Sequence, residues 1–165
     1  MIQCDGKGLI MTANDTPNLI KYENYKEQFK RLEKALNNKF YLEAIFIEYS
    51  IIEDRTESIL KHAEKWEAYL KKRGRYQVTL DSKVNYISGF ARERGSLLHR
   101  YFGDELLVDI LEWKNERNSL MHALMKQSLT TEDLQAVALI GKDLARKLAN
   151  RATSYRRALE RKSSR

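Results

Sequence analysis

The segment 40–52, FYLEAIFIEYSII, is apolar around almost its whole circumference when it is drawn as a helix. A helix of this kind is buried on most of its sides, so other helices must pack around it. We therefore predict a central helix here. The helical spacing continues through Trp66 and Leu70 to Gly74, a residue type that commonly caps a helix at its C-terminal end.

The segment before this central helix has the pattern of an amphipathic helix. Thr16 and Pro17 predict its start, because a hydroxyl N-cap followed by proline suits the first helical turn. The asparagines at 37–38 predict its end. Between them, apolar residues recur three or four positions apart, at Tyr25, Phe29, Leu32 and Leu36.

Turn residues divide the rest of the chain into further helices. Only the segment 75–81, RYQVTLD, has strand character, and it is too short to found a sheet, so Asp81 is predicted to cap a helix. Gly103 is predicted to end a helix, and Asp104 and Thr130 to cap the two that follow. About five helices result, which predicts an all-α fold built as an antiparallel bundle.

The length of 165 residues predicts one domain. We predict a flexible leader at 1–18, in which Met11 is an equally good natural start, a helical domain at 19–160 and a basic tail at 161–165. No apolar run approaches the roughly 18 residues that span a bilayer, so no membrane partner is expected. The single cysteine, Cys4, cannot form an internal disulfide, which predicts a cytoplasmic location.

The formal net charge of +7 is concentrated at one end of the chain. Residues 142–165 hold nine basic and two acidic residues, whereas basic and acidic residues balance in the remainder. A basic helix attracts phosphate groups, so RNA contacts are predicted on this helix. The alternative is a solvated helix face with a frayed terminus. The candidate RNA-binding residues are Arg146, Arg151, Arg156 and Arg157.

Two phrases of near-identical wording contain two of the three histidines, ERGSLLH at Glu93–His99 and ERNSLMH at Glu116–His122. An Arg and a His five positions apart are expected by chance roughly 0.25 times in a chain of this composition. Requiring Asn directly after the Arg lowers that expectation to roughly 0.01. Only the second phrase meets this requirement, so it is the more informative of the two.

Helix geometry also separates the two phrases. In the second, Asn118 and His122 lie four positions apart on one helix face, and Arg117 flanks that face. Together they bring a permanent cation, an amide and an imidazole to one patch. In the first phrase glycine stands in place of the asparagine, so Arg94 and His99 are predicted to decorate a surface turn without function.

The stretch LLVDILEWKNERNSLMHAL, residues 106–124, resembles the signature of the HEPN superfamily of small helical domains. That signature is an Arg, a short spacer and a His, commonly with Asn after the Arg. The helix VNYISGFARE and the turn YFGDE before it also fit, and the resemblance covers residues 19–160. It implies a metal-independent endoribonuclease without cofactor, acting at a symmetric homodimer interface. Such domains include toxins and phage-defence effectors restrained by an antitoxin or another protein partner.

The resemblance implies that Arg117, Asn118 and His122 are catalytic, and their chemistry suits RNA. The 2′-hydroxyl of RNA is its own nucleophile, so the protein need only move protons and stabilise charge. An imidazole, with an ordinary pKa of about 6.5, takes or gives a proton near neutral pH. A guanidinium suits the charge on a scissile phosphate, and an amide orients either partner. The expected products carry a 2′,3′-cyclic phosphate and a 5′-hydroxyl.

Glu48 lies inside the apolar central segment. A buried carboxylate needs a partner, and Arg117 is a candidate, which would make Glu48 a supporting residue of the site. The alternative is that the central helix has one narrow wet edge through Glu43, Glu48 and Glu53.

No metal site is expected, because His62, His99 and His122 lack the spacing of metal ligands and have no cysteine partners. Trp66 and Trp113 are predicted to be core or interface anchors. A second class of function stays open beside the ribonuclease, namely a non-catalytic module for RNA binding, protein binding or dimerisation. The basic C-terminal helix would serve RNA binding with or without cleavage.

Overall fold

The computed structural model describes residues 17–73, 78–124, 126 and 129–164, with residues 17–19 described by their backbone alone. Within these ranges every regular element is an α-helix, so the predicted all-α bundle is confirmed. None of the described helices is long and apolar enough to cross a membrane. The seven described helices are α1 (Pro17–Asn37), α2 (Tyr41–His62), α3 (Trp66–Arg73), α4 (Leu80–Ala91), α5 (Leu97–Phe102), α6 (Leu106–Ala123) and α7 (Thr131–Ser163).

The helix predicted to be central, α2, packs most extensively against α7 and also contacts α1, α3 and α4. Ile45, Ile52 and Ile59 on α2 are almost completely enclosed. Burying each such side chain contributes about 1.5–3 kcal/mol, so α2 carries much of the hydrophobic stabilisation. Two apolar side chains near its N-terminal end, Leu42 and Phe46, are exposed instead.

Helix directions bring three helix ends together. α2 and α7 run in the same direction, because Glu48 lies beside Gly141, while Arg55, later in α2, lies near Arg156, later in α7. α1 runs antiparallel to α2, and α6 runs antiparallel to α7. The N-terminal halves of α2 and α7 and the C-terminal end of α6 therefore lie at the same end of the bundle.

The prediction of one continuous helix from the central segment through Trp66 and Leu70 is wrong. α2 ends at His62, and Glu64 adopts a left-handed φ of 56°. The amides of Glu64 and Lys65 then donate to the carbonyls of the last turn of α2, at 3.0 and 2.9 Å, which is the hydrogen-bond pattern of a Schellman motif. This break is one reason why there are more helices than predicted. The predicted cap, Gly74, lies outside the described residues.

Two of the predicted caps agree with the structure, Gly103 and Thr130, and two differ, Asp81 and Asp104. Glu105 is the N-cap residue of α6, although the Asp104 carboxylate accepts a hydrogen bond from the Leu106 amide at 3.3 Å. Thr130 caps α7 as predicted, since its hydroxyl accepts a hydrogen bond from the Asp133 amide at 3.2 Å. Asp81 does not cap α4. Thr79 does, in a capping box with Ser82, and Asp81 lies inside the helix. Val78 and Thr79, just after the part of the 75–81 segment that is not described, form no strand.

The helix limits extend past both ends of the predicted helical domain, 19–160. α1 begins at Pro17, within the segment assigned to a leader. α7 continues to Ser163, so residues 161–163 of the predicted basic tail are helical.

Candidate active site at the C-terminal end of α6

The last two turns of α6 carry Arg117, Asn118 and His122, which we call the Arg-Asn-His motif. Arg117 is half-buried, and its Cζ lies 4.5 Å from the ring centroid of Tyr49 on α2. Its Nη1 donates a hydrogen bond of 3.0 Å to Oδ1 of Asn118. A guanidinium that is stacked on one group and hydrogen-bonded to a second is held in one orientation. Arg117 is therefore a fixed cation.

His122 occupies the last turn of α6 and is exposed. Its ring hydrogen-bonds to no other described residue. Asn118 is half-buried and lies one turn earlier on the same side of the helix. Arg117 and Asn118 are thus brought into direct contact, whereas His122 shares their surface and stays open to solvent.

Tyr49 is a site residue that the sequence reasoning missed. Burial raises the pKa of its phenol, the Glu53 carboxylate raises it further, and the Arg117 guanidinium opposes both. The hydroxyl therefore stays protonated at neutral pH and supplies a hydrogen-bond donor beside the motif. The sequence shows that Tyr49 follows Glu48 in the apolar central segment and that its ring carries a polar hydroxyl. Nothing in the spacing shows that its side chain faces α6.

Two ion pairs flank the motif where α2, α4 and α6 meet. The Lys114 Nζ lies 2.6 Å from Asp81, one turn before Arg117. Lys83 is almost fully buried, and its Nζ lies 3.4 Å from both the carboxylate and the backbone carbonyl of Glu53. These two lysines already have anionic partners, whereas Arg117 forms no ion pair with a carboxylate of the described residues.

Glu48 does not support the motif in the way that was predicted. It is fully buried, so the predicted wet edge of α2 is wrong at this position. Its carboxylate oxygens hydrogen-bond to no described group, and Arg117 stacks on the adjacent Tyr49 instead. Successive residues of a helix point about 100° apart, which explains why only one of the two neighbours reaches Arg117.

The environment of Glu48 is the packed core. Its carboxylate lies against Gly141 of α7, which Trp113 of α6 also contacts. Burial raises the pKa of the Glu48 carboxyl to about 9, against the opposing charge of Lys142. Trp113 is buried and donates a hydrogen bond of 2.9 Å to the carbonyl of Val137, so its prediction as a core anchor is confirmed.

The first phrase, ERGSLLH, has a structural role. Gly95 has a φ of +86°, Ser96 caps α5, and the Nδ1 of His99 lies 2.7 Å from the carbonyl oxygen of Ala91. This hydrogen bond ties α5 to the end of α4. Arg94 is exposed, as expected of a surface turn, whereas His99 is half-buried rather than a surface decoration.

The four arginines predicted to contact RNA fall into two groups. Arg146 forms an ion pair with Glu33, and Arg151 forms one of 2.5 Å with Asp104. These two are therefore neutralised within the fold. Arg156 and Arg157 line a cavity between α1, α2 and α7, and Arg156 also forms an ion pair of 3.5 Å with Glu160. His62 lines the same cavity.

Among the described residues, no group of three or more His, Cys, Asp or Glu side chains is placed to hold a metal ion. Comparison of the chain with protein-family models, with curated proteins and with solved structures found no match. The Arg-Asn-His motif offers a fixed cation, an amide and a solvent-accessible imidazole. Such a set is able to bind a phosphate group and to exchange protons with a bound molecule.

Proposed function

We propose that the chain is a metal-independent endoribonuclease of the HEPN type that acts at a homodimer interface. The observation that carries this proposal is the immobilised guanidinium of Arg117, held by Tyr49 and Asn118 one turn from the exposed His122. A preorganised cation stabilises charge that develops in a transition state, because no further ordering is needed when the reaction occurs.

The proposed reaction is an internal transesterification of RNA. His122 of one protomer removes the proton from a 2′-hydroxyl, and the resulting oxygen attacks the adjacent phosphorus. Arg117 stabilises the negative charge on the phosphate oxygens, while Asn118 keeps the guanidinium oriented. The His122 of the second protomer protonates the departing 5′-oxygen. The products are a 2′,3′-cyclic phosphate and a 5′-hydroxyl.

A second copy of the chain supplies what one motif lacks, a separate acid to pair with the base. The surface beside the motif suits such an association. Phe46 and Leu42 are 66% and 42% exposed, and they lie one and two turns before Tyr49 on the same side of α2. Exposed apolar side chains next to one another are typical of a surface that a partner covers.

The proposed biological role is that of a toxin or phage-defence effector whose activity a partner protein restrains. It rests on the resemblance of the motif region to HEPN domains. Expression of the active chain should then slow cell growth, and Arg117→Ala should relieve that effect.

The test is cleavage of total RNA by the purified protein in the presence of EDTA. His122→Asn and Arg117→Ala should each lower the cleavage rate by roughly 10²–10⁴, since acid–base catalysis and charge stabilisation contribute that much. His99→Asn is the matched control, because an asparagine amide retains a donor toward the Ala91 carbonyl. This variant should cut RNA at the wild-type rate. The cut ends should carry cyclic phosphates.

Two outcomes would overturn the catalytic proposal. One is a His122→Asn variant that cuts as fast as the wild type. The other is RNA binding without cutting in all the proteins, which would support a non-catalytic binding module instead.

A further inference from the structure

A second surface with unusual chemistry lies at the opposite end of the bundle from the Arg-Asn-His motif. It is a cavity of about 530 Å³ between α1, residues 54–62 of α2 and residues 149–157 of α7. This volume lies within the range of pockets that hold a small organic ligand. The motif, by contrast, lies at the end where α7 begins. The two sites are therefore separate.

The lining of this cavity, which we call the α1–α2–α7 cavity, is strongly positive. Its two carboxylates are already paired, Asp54 with Lys21 at 3.0 Å and Glu57 with Lys61 at 2.6 Å. Six lysines and arginines line the same cavity as these two carboxylates, and they are Lys21, Lys26, Arg55, Lys61, Arg156 and Arg157. The positive charge exceeds the negative charge inside one concave space.

Two of these cations, Arg55 and Arg156, each have a buried Nε atom without a hydrogen bond to a described residue. Arg55 stacks on the ring of Tyr25, with Cζ 3.3 Å from its centroid, and its buried Nε has no hydrogen-bond partner among the described residues. The Nε of Arg156 is also buried, and it lies 3.5 Å from the Glu160 carboxylate, while the Arg156 side chain as a whole is 38% exposed. Arg55 is half-buried, so a solvated helix face does not account for its unpaired Nε.

The cations are close enough to repel one another. Burial lowers the pKa of Arg55, the neighbouring Tyr25 and Asp54 oppose this shift, and the charge of Arg156 lowers the pKa by a smaller amount. The pKa of His62 is lowered by burial and then by Arg156. Like charges held together in a concave site raise the local concentration of anions.

We propose that the α1–α2–α7 cavity binds a phosphate monoester of nucleotide size. The planar forks of Arg55 and Arg156 match the geometry of phosphate oxygens, and a phosphate would accept hydrogen bonds from their N–H groups. The exposed ring of Tyr22 and the half-buried ring of Phe29 line the same cavity and offer faces for a base. The phosphate comes either from a free nucleotide or from the 5′ end of an RNA.

The experiment is calorimetric titration of the full chain with AMP and, separately, with inorganic phosphate. Arg156→Gln should weaken AMP binding tenfold or more, because a charge-assisted hydrogen bond is lost. Arg156→Lys, which keeps the charge and loses the fork, should bind with intermediate affinity. Arg161→Gln removes the same charge from an exposed position on α7 and should bind AMP like the wild type.

A 5′-phosphorylated oligonucleotide distinguishes the two sources of phosphate. If AMP competes with it, the site takes free nucleotides. If only the oligonucleotide binds and Arg156→Gln abolishes that binding, the phosphate is that of RNA. Equal weakening by Arg156→Gln and Arg161→Gln, or binding by none of the probes, would overturn the proposal. His122→Asn should leave AMP binding unchanged, because His122 lies at the other end of the bundle. AMP binding can therefore be measured whether or not the chain cleaves RNA.

Discussion

Glu48 should govern part of the pH dependence of stability. Burial raises the pKa of its carboxyl to about 9 in the folded protein, whereas an unfolded glutamate titrates near about 4.3. Between these values the folded chain holds a proton that the unfolded chain has released. The contribution of Glu48 to the free energy of unfolding is therefore fully present below about pH 4.3. It is lost as the pH rises toward about 9, by up to about 1.4 kcal/mol per pH unit.

Glu48→Gln tests this prediction, because glutamine has the same shape and does not titrate. Urea unfolding at about pH 5.5, 7 and 8.5 should show a flatter dependence of the free energy of unfolding on pH for the variant than for the wild type. Glu112→Gln, at an exposed position of α6, should follow the wild type. Parallel curves for Glu48→Gln and the wild type would show that the carboxyl is already ionised at neutral pH.

The packing of α7 against α2 and α6 depends on a residue without a side chain. A Cβ at Gly141 would meet the Glu48 carboxylate, and it would lie 2.7 Å from the ring of Trp113. Gly141→Ala should therefore lower the free energy of unfolding by roughly 1–3 kcal/mol, as overpacking of a core does. Chemical denaturation measures the loss.

Gly89 in α4 is the matched control for this element. A Cβ there would meet nothing within 4 Å, so Gly89→Ala should raise the free energy of unfolding by roughly 0.5–1 kcal/mol through its better helix propensity. A loss of stability in Gly141→Ala together with a gain in Gly89→Ala would identify the close approach of α7 to α2 and α6 as the cause of the loss. A stable Gly141→Ala variant would mean that α7 shifts away from Trp113 at little cost.

At the scale of the whole molecule, the proposed homodimer should depend on the exposed apolar end of α2. Phe46→Glu places a charge on that surface and should convert the dimer to a monomer, because burying an unpaired carboxylate is costly. The rate of RNA cleavage should fall as the dimer is lost. Light scattering after size-exclusion chromatography measures the mass.

Val108→Glu provides the comparison for Phe46→Glu. Val108 is also exposed, at 54%, but it lies about 21 Å from His122 along α6. This variant should keep the mass and activity of the wild type. A wild-type chain that is monomeric while it cleaves RNA would contradict the dimeric arrangement.

The helices were predictable because helix formation is largely a local property. Apolar spacing of three and four residues marks the buried face of each helix, and short side chains such as Thr130 reveal where one begins. The break at Glu64 was not predictable in this way. A left-handed glutamate has no sequence signal comparable to glycine, and the surrounding packing maintains it.

The sequence by itself therefore determined an all-helical chain, a central α2 and the presence of Arg117, Asn118 and His122 on one helix. Only the tertiary structure decided which groups meet across helices. Tyr49 beneath Arg117, Glu48 against Gly141 and the meeting of two arginines in the α1–α2–α7 cavity all depend on helix direction and rotation. Spacing along a chain records which residues share a face, but it contains no measure of which faces come into contact.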